Sequence, residues 1–254
     1  MAHIIAVANQ KGGAGKTTTT EHVGAGIAEL GKKVLLIDVD PQGHVAEAFG
    51  FVAEDLKVEM SDVIEGSQTI VDVILPNVRP NLDVAPSNIR LSDMELTLVN
   101  LRFREYKLKR AIEPIVNRYD YIFIDCPPNL GLLTVNALMT AEYVLIPMAT
   151  EYASMLGVSL LINTVEAIKS EANQTLKILG IIHTRNKHTV HAREVIERTK
   201  AELGDNIHIF EPPINESTRF TEAFGQGKTV FEIAPEIPGA HAYRAIAKEI
   251  VNYG

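Results

Sequence analysis

Nine residues near the start of the chain constrain it more than any others: Gln10-Lys11-Gly12-Gly13-Ala14-Gly15-Lys16-Thr17-Thr18. An apolar run, His3–Asn9, precedes them, and a stretch of helical period, Thr17–Leu30, follows. A glycine-rich turn between a strand and a helix, closed by Gly-Lys-Thr, is suited to holding phosphate. The usual pattern opens on glycine where this chain has Gln10, but Gly12, Gly13 and Gly15 crowd the turn. With Ala14 between them, they let successive backbone N–H groups curl around phosphate oxygens, and the helix N-terminus adds partial positive charge. Lys16 is then placed to pair with β- and γ-phosphates, and the Thr17 hydroxyl to ligate Mg²⁺, with Thr18 beside it.

Such a loop needs a parallel sheet behind it, and the rest of the chain supplies the pattern. Strand candidates are His3–Asn9, Lys33–Asp40, Leu82–Pro86, Tyr121–Cys126, Tyr143–Ala149, Lys177–Thr184 and Ile207–Phe210. Several are apolar almost throughout, as in strands covered on both faces. Helical stretches lie between them: Thr17–Leu30, Leu101–Val116, Leu130–Met139, Gly157–Ser170, Ala192–Leu203 and Ala240–Asn252. Gly31 is placed to cap the first of these. The alternation predicts a single α/β domain over residues 1–254, doubly wound around a mostly parallel sheet, and the phosphate loop adds the expectation of P-loop NTPase topology. One cysteine, Cys126, excludes a disulfide framework or a Cys₄ site within one chain. No run approaches the length of a membrane span, and no secretory signal stands at the start, so the expectation is a cytoplasmic protein without membrane contact.

Two further strands end in acids, where ligands of open α/β sheets bind. Val34-Leu-Leu-Ile37-Asp38-Val39-Asp40-Pro41-Gln42-Gly43 carries two carboxylates, and their spacing sends them to opposite faces unless the turn has begun. Capping of the next helix is the plainer use of such acids. Tyr121-Ile-Phe-Ile-Asp125-Cys126-Pro127-Pro128 has the form of a Walker B segment, its Asp125 suited to holding a Mg²⁺-bound water.

With Lys11 at its entrance, the segment Lys11-Gly-Gly-Ala-Gly-Lys16-Thr-Thr resembles the deviant Walker A motif of the ParA/MinD branch of P-loop ATPases, and the chain looks like a ParA-type partition ATPase. That resemblance implies an ATPase with slow intrinsic turnover, using ATP and Mg²⁺. It implies catalytic roles for Lys11, Lys16 and Asp40, with Asp40 positioning the attacking water and Asp38 acting near Mg²⁺ or the loop lysine. It implies that Lys11 reaches across a sandwich homodimer to the partner's ATP, so that ATP joins the two copies. Asn186 and Pro212, with Thr184 and Pro213, fall where the adenine is expected. Glu151 either lies near the nucleotide and dimer face or satisfies a helix N-terminus.

The same resemblance implies that the ATP dimer binds non-specific DNA on the nucleoid, and that a ParB-like or adaptor protein stimulates hydrolysis and resets it. The cargo is a plasmid, a chromosome or a cytoplasmic body such as a carboxysome. Formal charge opposes bulk nucleic-acid binding: 24 Lys and Arg face 32 Asp and Glu, a net −8. Candidate DNA residues are therefore local: Lys187, Lys200, Arg219 and Lys228, with Arg193, Arg198 and Arg244 behind them. A second basic group, Arg102, Arg104, Lys107, Lys109 and Arg110, reads as the solvated face of an amphipathic helix or a partner surface. Three stretches depart from the family pattern: His44 after Asp-Pro-Gln-Gly, Glu222-Ala-Phe-Gly225 and Phe231-Glu-Ile-Ala-Pro235.

Rival readings are distinguishable. A MinD-like membrane-cycling ATPase needs a basic amphipathic tail, and Ile250-Val-Asn-Tyr-Gly254 offers none. An iron protein of the nitrogenase-reductase kind needs two cysteines per chain. A tyrosine kinase of this superfamily usually shows a Tyr-rich tail, and Tyr243 and Tyr253 are not a cluster. A nucleotide-dependent scaffold with negligible turnover has no use for Asp40. The loop starts at Gln10, so no helix-turn-helix domain is expected before it.

Overall fold

The structure, a computed structural model, describes residues 1–253 and, within them, every side chain but that of Glu54. Gly254, the last residue of the tail considered above, lies outside the described residues. Eight strands form one sheet: β1 (His3–Val7), β2 (Val34–Asp38), β3 (Leu75–Arg79), β4 (Leu82–Ala85), β5 (Tyr121–Asp125), β6 (Tyr143–Ala149), β7 (Lys177–Thr184) and β8 (Ile209–Phe210). Their spatial order is β3-β4-β2-β5-β1-β6-β7-β8, and every pairing is parallel except β3 with β4.

Alternation along each strand divides the apolar side chains between two cores. Ile4 and Ala6, Leu35 and Ile37, and Ile122 and Ile124 face one side. Ile5 and Val7, Val34 and Leu36, and Tyr121 and Phe123 face the other. The strands are apolar throughout because both faces are covered, which explains why they were readable as strands. All seven expected strands are present, two with the expected bounds and five shorter by one or two residues at one or both ends.

The edge strand β3 is an addition. Leu75-Pro76-Asn77-Val78-Arg79 carries a proline and a left-handed Asn77 (φ 53°), which read as turn rather than strand. An antiparallel edge tolerates both, and Pro80-Asn81, with Asn81 also left-handed, makes the hairpin into β4. The expected helix Leu101–Val116 is shorter than its pattern. Phe103 is left-handed (φ 55°), and only Lys107–Ile112 is α-helical between two 3₁₀ turns.

Helix Lys16–Glu29 packs against helix Pro238–Tyr253, and one buried residue ties this pair to the rest. The His22 ring stacks on Tyr243 at 5.2 Å and meets Phe220 and Phe231 edge-on. Its Nδ1 donates to the Thr18 carbonyl at 2.8 Å, and its Nε2 accepts from the Val230 N–H at 3.0 Å. Both ring nitrogens are satisfied only in the neutral form, and burial lowers the pKa from 6.5 to about 4. A lowered histidine pKa stabilises the fold above pH 6.5, and the contribution is lost as pH falls toward 4. It amounts to about 3 kcal/mol between those limits. The difference in unfolding free energy between wild type and His22→Gln should therefore narrow from pH 7 to pH 4.5 in urea melts. A difference that does not change with pH would contradict this.

Candidate active site

The loop 8–15 leaves β1 in the middle of the sheet and delivers the chain to helix Lys16–Glu29. Gly13 and Gly15 hold φ of 71° and 81°, a region that side chains disfavour. Helix Lys16–Glu29 starts on Gly15 with no side-chain cap, so its first N–H groups are left for an incoming ligand. Gly12 and Gly13 are exposed, and a Cβ on Gly12 would meet nothing within 4 Å, so the mouth is open. Ala14 is buried and its carbonyl accepts from Thr184 Oγ1 at 2.8 Å, which ties the loop to the end of β7.

Parallel register brings the two acidic strand ends together, with Asp38 opposite Asp125. Asp125 accepts from Thr17 Oγ1 at 2.7 Å and from Thr20 Oγ1 at 2.9 Å. Thr20 was not picked out from sequence; its place one turn after Thr17, on the same helix face, is the signal that identifies it. Asp38 accepts the N–H of Asp40 at 2.9 Å and of Val45 at 3.1 Å, and so shapes the turn that carries Asp40. Burial pushes both carboxyls up from the ordinary range, and for Asp38 the neighbouring Asp125 adds to the effect. A pair of desolvated acids is a place that a cation relieves.

A cleft of about 420 Å³ opens above these groups. Gly12, Gly13, Gly15, Lys16, Thr17 and Thr18 form one wall, and Asp40, Gln42 and His44 form another, with Glu21, Pro128 and Phe224 completing it. Lys16 is buried at its edge. Among the described residues no set of three or more His, Cys, Asp or Glu is placed to hold a metal alone. Thr17, with Asp125 and Asp38 behind it, could hold a Mg²⁺ ion through water together with a substrate's phosphates. Glu21 and Phe224 were not legible as cleft residues. Burial raises the Glu21 pKa, and its Oε1 has no hydrogen-bond partner.

The loop's other side faces a hollow of about 310 Å³ bounded by Gly13, Gly15, Thr18, Thr184, Arg185 and Asn215, among others. Asn215 also borders a neighbouring hollow of about 570 Å³, with Asn186, His188, Pro212 and Pro213. The two hollows share Asn215 as a wall, and Asn186 and Pro212 border the one farther from the phosphate loop. Asn186 Nδ2 donates to Asn215 Oδ1 at 2.9 Å.

Lys11 does not border the 420 Å³ cleft. Its ammonium pairs with Glu151 and lies 3.4 Å from Ser154 Oγ, at the start of helix Tyr152–Glu171. The Lys11 hydrogen bond holds the Glu151 carboxyl below its usual range. Glu151 stands at the N-cap of helix Tyr152–Glu171, makes no side-chain capping hydrogen bond there, and pairs with Lys11.

A family model described as an AAA domain matches residues 2–178. The sporulation initiation inhibitor protein Soj of Bacillus subtilis is 40% identical over 255 residues, covering 100% of both chains. The chromosome partitioning protein ParA of Caulobacter vibrioides is 34% identical over 252 residues, covering 98% of this chain and 94% of its own. The chain belongs to the ParA/Soj family. A solved structure named cobyrinic acid a,c-diamide synthase, from Mycobacterium smegmatis with bound ATP analog and magnesium, superposes with a TM-score of 0.87 at 31% identity, covering 100% of this chain and 96% of that one.

Within this ParA/Soj frame the C-terminal cations are less free than their sequence suggests. Lys187 lies 3.5 Å from Glu216, Lys200 2.6 Å from Glu211, and Arg219 2.6 Å from Glu222. Lys228 is exposed. Residues 185–244 hold 8 Lys and Arg against 9 Asp and Glu, so this segment of one chain carries no positive excess. No described helix is long and apolar enough to cross a membrane.

Proposed function

We propose that this ParA/Soj ATPase hydrolyses ATP as a timer: two copies close on ATP and Mg²⁺, hold non-specific DNA, and part when a partner protein accelerates hydrolysis. The observation that carries the reading is Lys11, which stands at the phosphate loop yet turns away from its own cleft to Glu151. A cation stored beside a phosphate site, and not used there, is available to a second copy. Tyr152, Leu156 and Leu160 are exposed on the helix that starts beside this pair, an apolar stripe that a dimer would cover.

Within each cleft the residues divide the work. The loop amides and Lys16 hold the β- and γ-phosphates, and the partner's Lys11 supplies the cation for charge that develops in phosphoryl transfer. Thr17, with Asp125 behind it at 2.7 Å, would hold a Mg²⁺ ion, which would supply positive charge to the phosphates. Asp40 orients the attacking water, and Asp38 fixes the turn that aims it. Asn186 and Pro212 receive the base.

DNA contact is assigned to Lys187, Lys200, Arg219 and Lys228, which a dimer presents twice. Phosphate must compete there with Glu216, Glu211 and Glu222, and exposed ion pairs of this kind hold weakly. A ParB-like or adaptor protein is the partner class, and a plasmid, a chromosome or a carboxysome-like body is the cargo class. The test is retention on unrelated DNA in ATP. Retention should fall steeply from about 50 to 200 mM salt, as release of counterions from phosphate contacts requires. Retention that ignores salt, or that needs no ATP, would remove DNA from the cycle.

A further inference from the structure

We propose that Arg185 is a nucleotide ligand, a second cation after Lys16 that meets the polyphosphate from the loop following β7, with Glu216 as its counter-ion when no nucleotide is bound. The inference rests on the nucleotide reading of the phosphate loop and its hollows, and adds a residue that neither the phosphate-loop motif nor the acidic strand ends point to.

Three observations place it. Arg185 Nη1 donates to the Gly13 carbonyl at 3.3 Å, and a Cβ on Gly13 would lie 3.4 Å from the same nitrogen. The guanidinium thus stands against the glycine-rich loop at Gly13. It also borders the hollow formed with Gly13, Gly15 and Thr18, which shares Asn215 with the hollow beside Asn186 and Pro212. Finally, the backbone holds it there at a cost: Arg185 has φ 52°, left-handed for a side chain with no glycine freedom. The strained conformation is fixed from both sides. The Arg185 carbonyl accepts from Thr150 Oγ1 at 3.3 Å, and the next N–H, of Asn186, bonds the Ile214 carbonyl at 2.9 Å.

Glu216 explains how the cation waits. Arg185 Nε and Nη2 lie 3.2 and 3.1 Å from Glu216 Oε1, and Lys187 lies 3.5 Å from its other oxygen. Arg185 also helps to lower the Glu151 pKa, but Lys11 is the cation paired with that carboxylate. Both members of the Arg185–Glu216 pair are well exposed, at 46% and 38%, so one carboxylate in water holds the arginine weakly. A polyphosphate carries several charges and offers the planar donor fork matching acceptors, so it wins the exchange.

Calorimetric titration of the monomer with Mg-ADP and with adenosine tests this without dimerisation or hydrolysis. Arg185→Met should weaken ADP about tenfold or more, as loss of a charge-assisted bond does, and leave adenosine unchanged. Arg185→Lys should restore part of the loss. Glu216→Gln should act in the opposite sense, tightening ADP by about threefold, the scale of an exposed pair. That variant decides the matter if Arg185→Met does not fold. Wild-type ADP affinity in Arg185→Met, an equal loss of adenosine and ADP, or weakening by Glu216→Gln would each overturn the proposal. Failure of the wild-type chain itself to bind ADP would instead remove the nucleotide reading on which it rests.

Discussion

Lys11→Ala is expected to abolish the ATP-dependent dimer while leaving nucleotide binding by the monomer largely intact. The side chain borders neither the cleft nor the hollow on the loop's other side, so its removal subtracts nothing from the phosphate contacts of a single chain. What it loses at home is the pair with Glu151, with side chains 27% and 47% exposed, and such pairs contribute about 0–1 kcal/mol. What a second copy loses is a cation at the transferring phosphate. That role is worth about 10³–10⁵ in rate, or about 4–7 kcal/mol. The asymmetry makes the outcome legible: unfolding midpoints move little, and partner-stimulated phosphate release falls by orders of magnitude. Light scattering in ATP and phosphate release with and without the partner measure both. Persistent dimers would take Lys11 out of the account.

Asp40→Ala should do the opposite to assembly and as much to turnover. The ATP dimer should form and persist, and phosphate release should drop by about 10²–10⁴, the range for a positioned general base. The backbone at this residue does not depend on its side chain. Its N–H bonds Asp38 Oδ1 at 2.9 Å and its carbonyl accepts from the Ser87 hydroxyl. Only the Gln42 N–H, 3.0 Å from Asp40 Oδ1, loses a partner. Asp38→Ala makes the contrast, because it strips acceptors from the N–H groups of Asp40 and Val45 beside the sheet. Each unsatisfied group costs about 1–3 kcal/mol, so that variant should lose stability along with activity. Near-normal phosphate release by Asp40→Ala, measured under saturating ATP, would move the water-positioning role elsewhere.

The fold was legible where burial is two-sided and the ligand loop is local. Ile122 to Ile124 and Leu35 to Ile37 feed both cores, so their runs are apolar without interruption. The phosphate loop is one contiguous segment, and Asp38 and Asp125 each end such a run. Edge elements were not legible, because solvent and turns share their residues: β3 accommodates Pro76 and a left-handed Asn77. The helical pattern of Leu101–Val116 is real in Leu108 and Ile112, both buried, but Phe103 breaks it in a way that periodicity does not record. The site's other half was hidden for a different reason. Arg185 meets Gly13 across 172 residues of sequence, and only the left-handed loop after β7 brings them together. The C-terminal cations were visible as residue types, whereas their glutamate partners depend on side-chain placement.

One measurement bears on the central claim more directly than the rest: small-angle scattering of the wild-type chain with Mg²⁺ and either ADP or a non-hydrolysable ATP analogue. The account predicts particles of one chain in ADP and of two chains in the analogue, at the same protein concentration. Single chains under both conditions, at analogue concentrations that saturate binding, would contradict it.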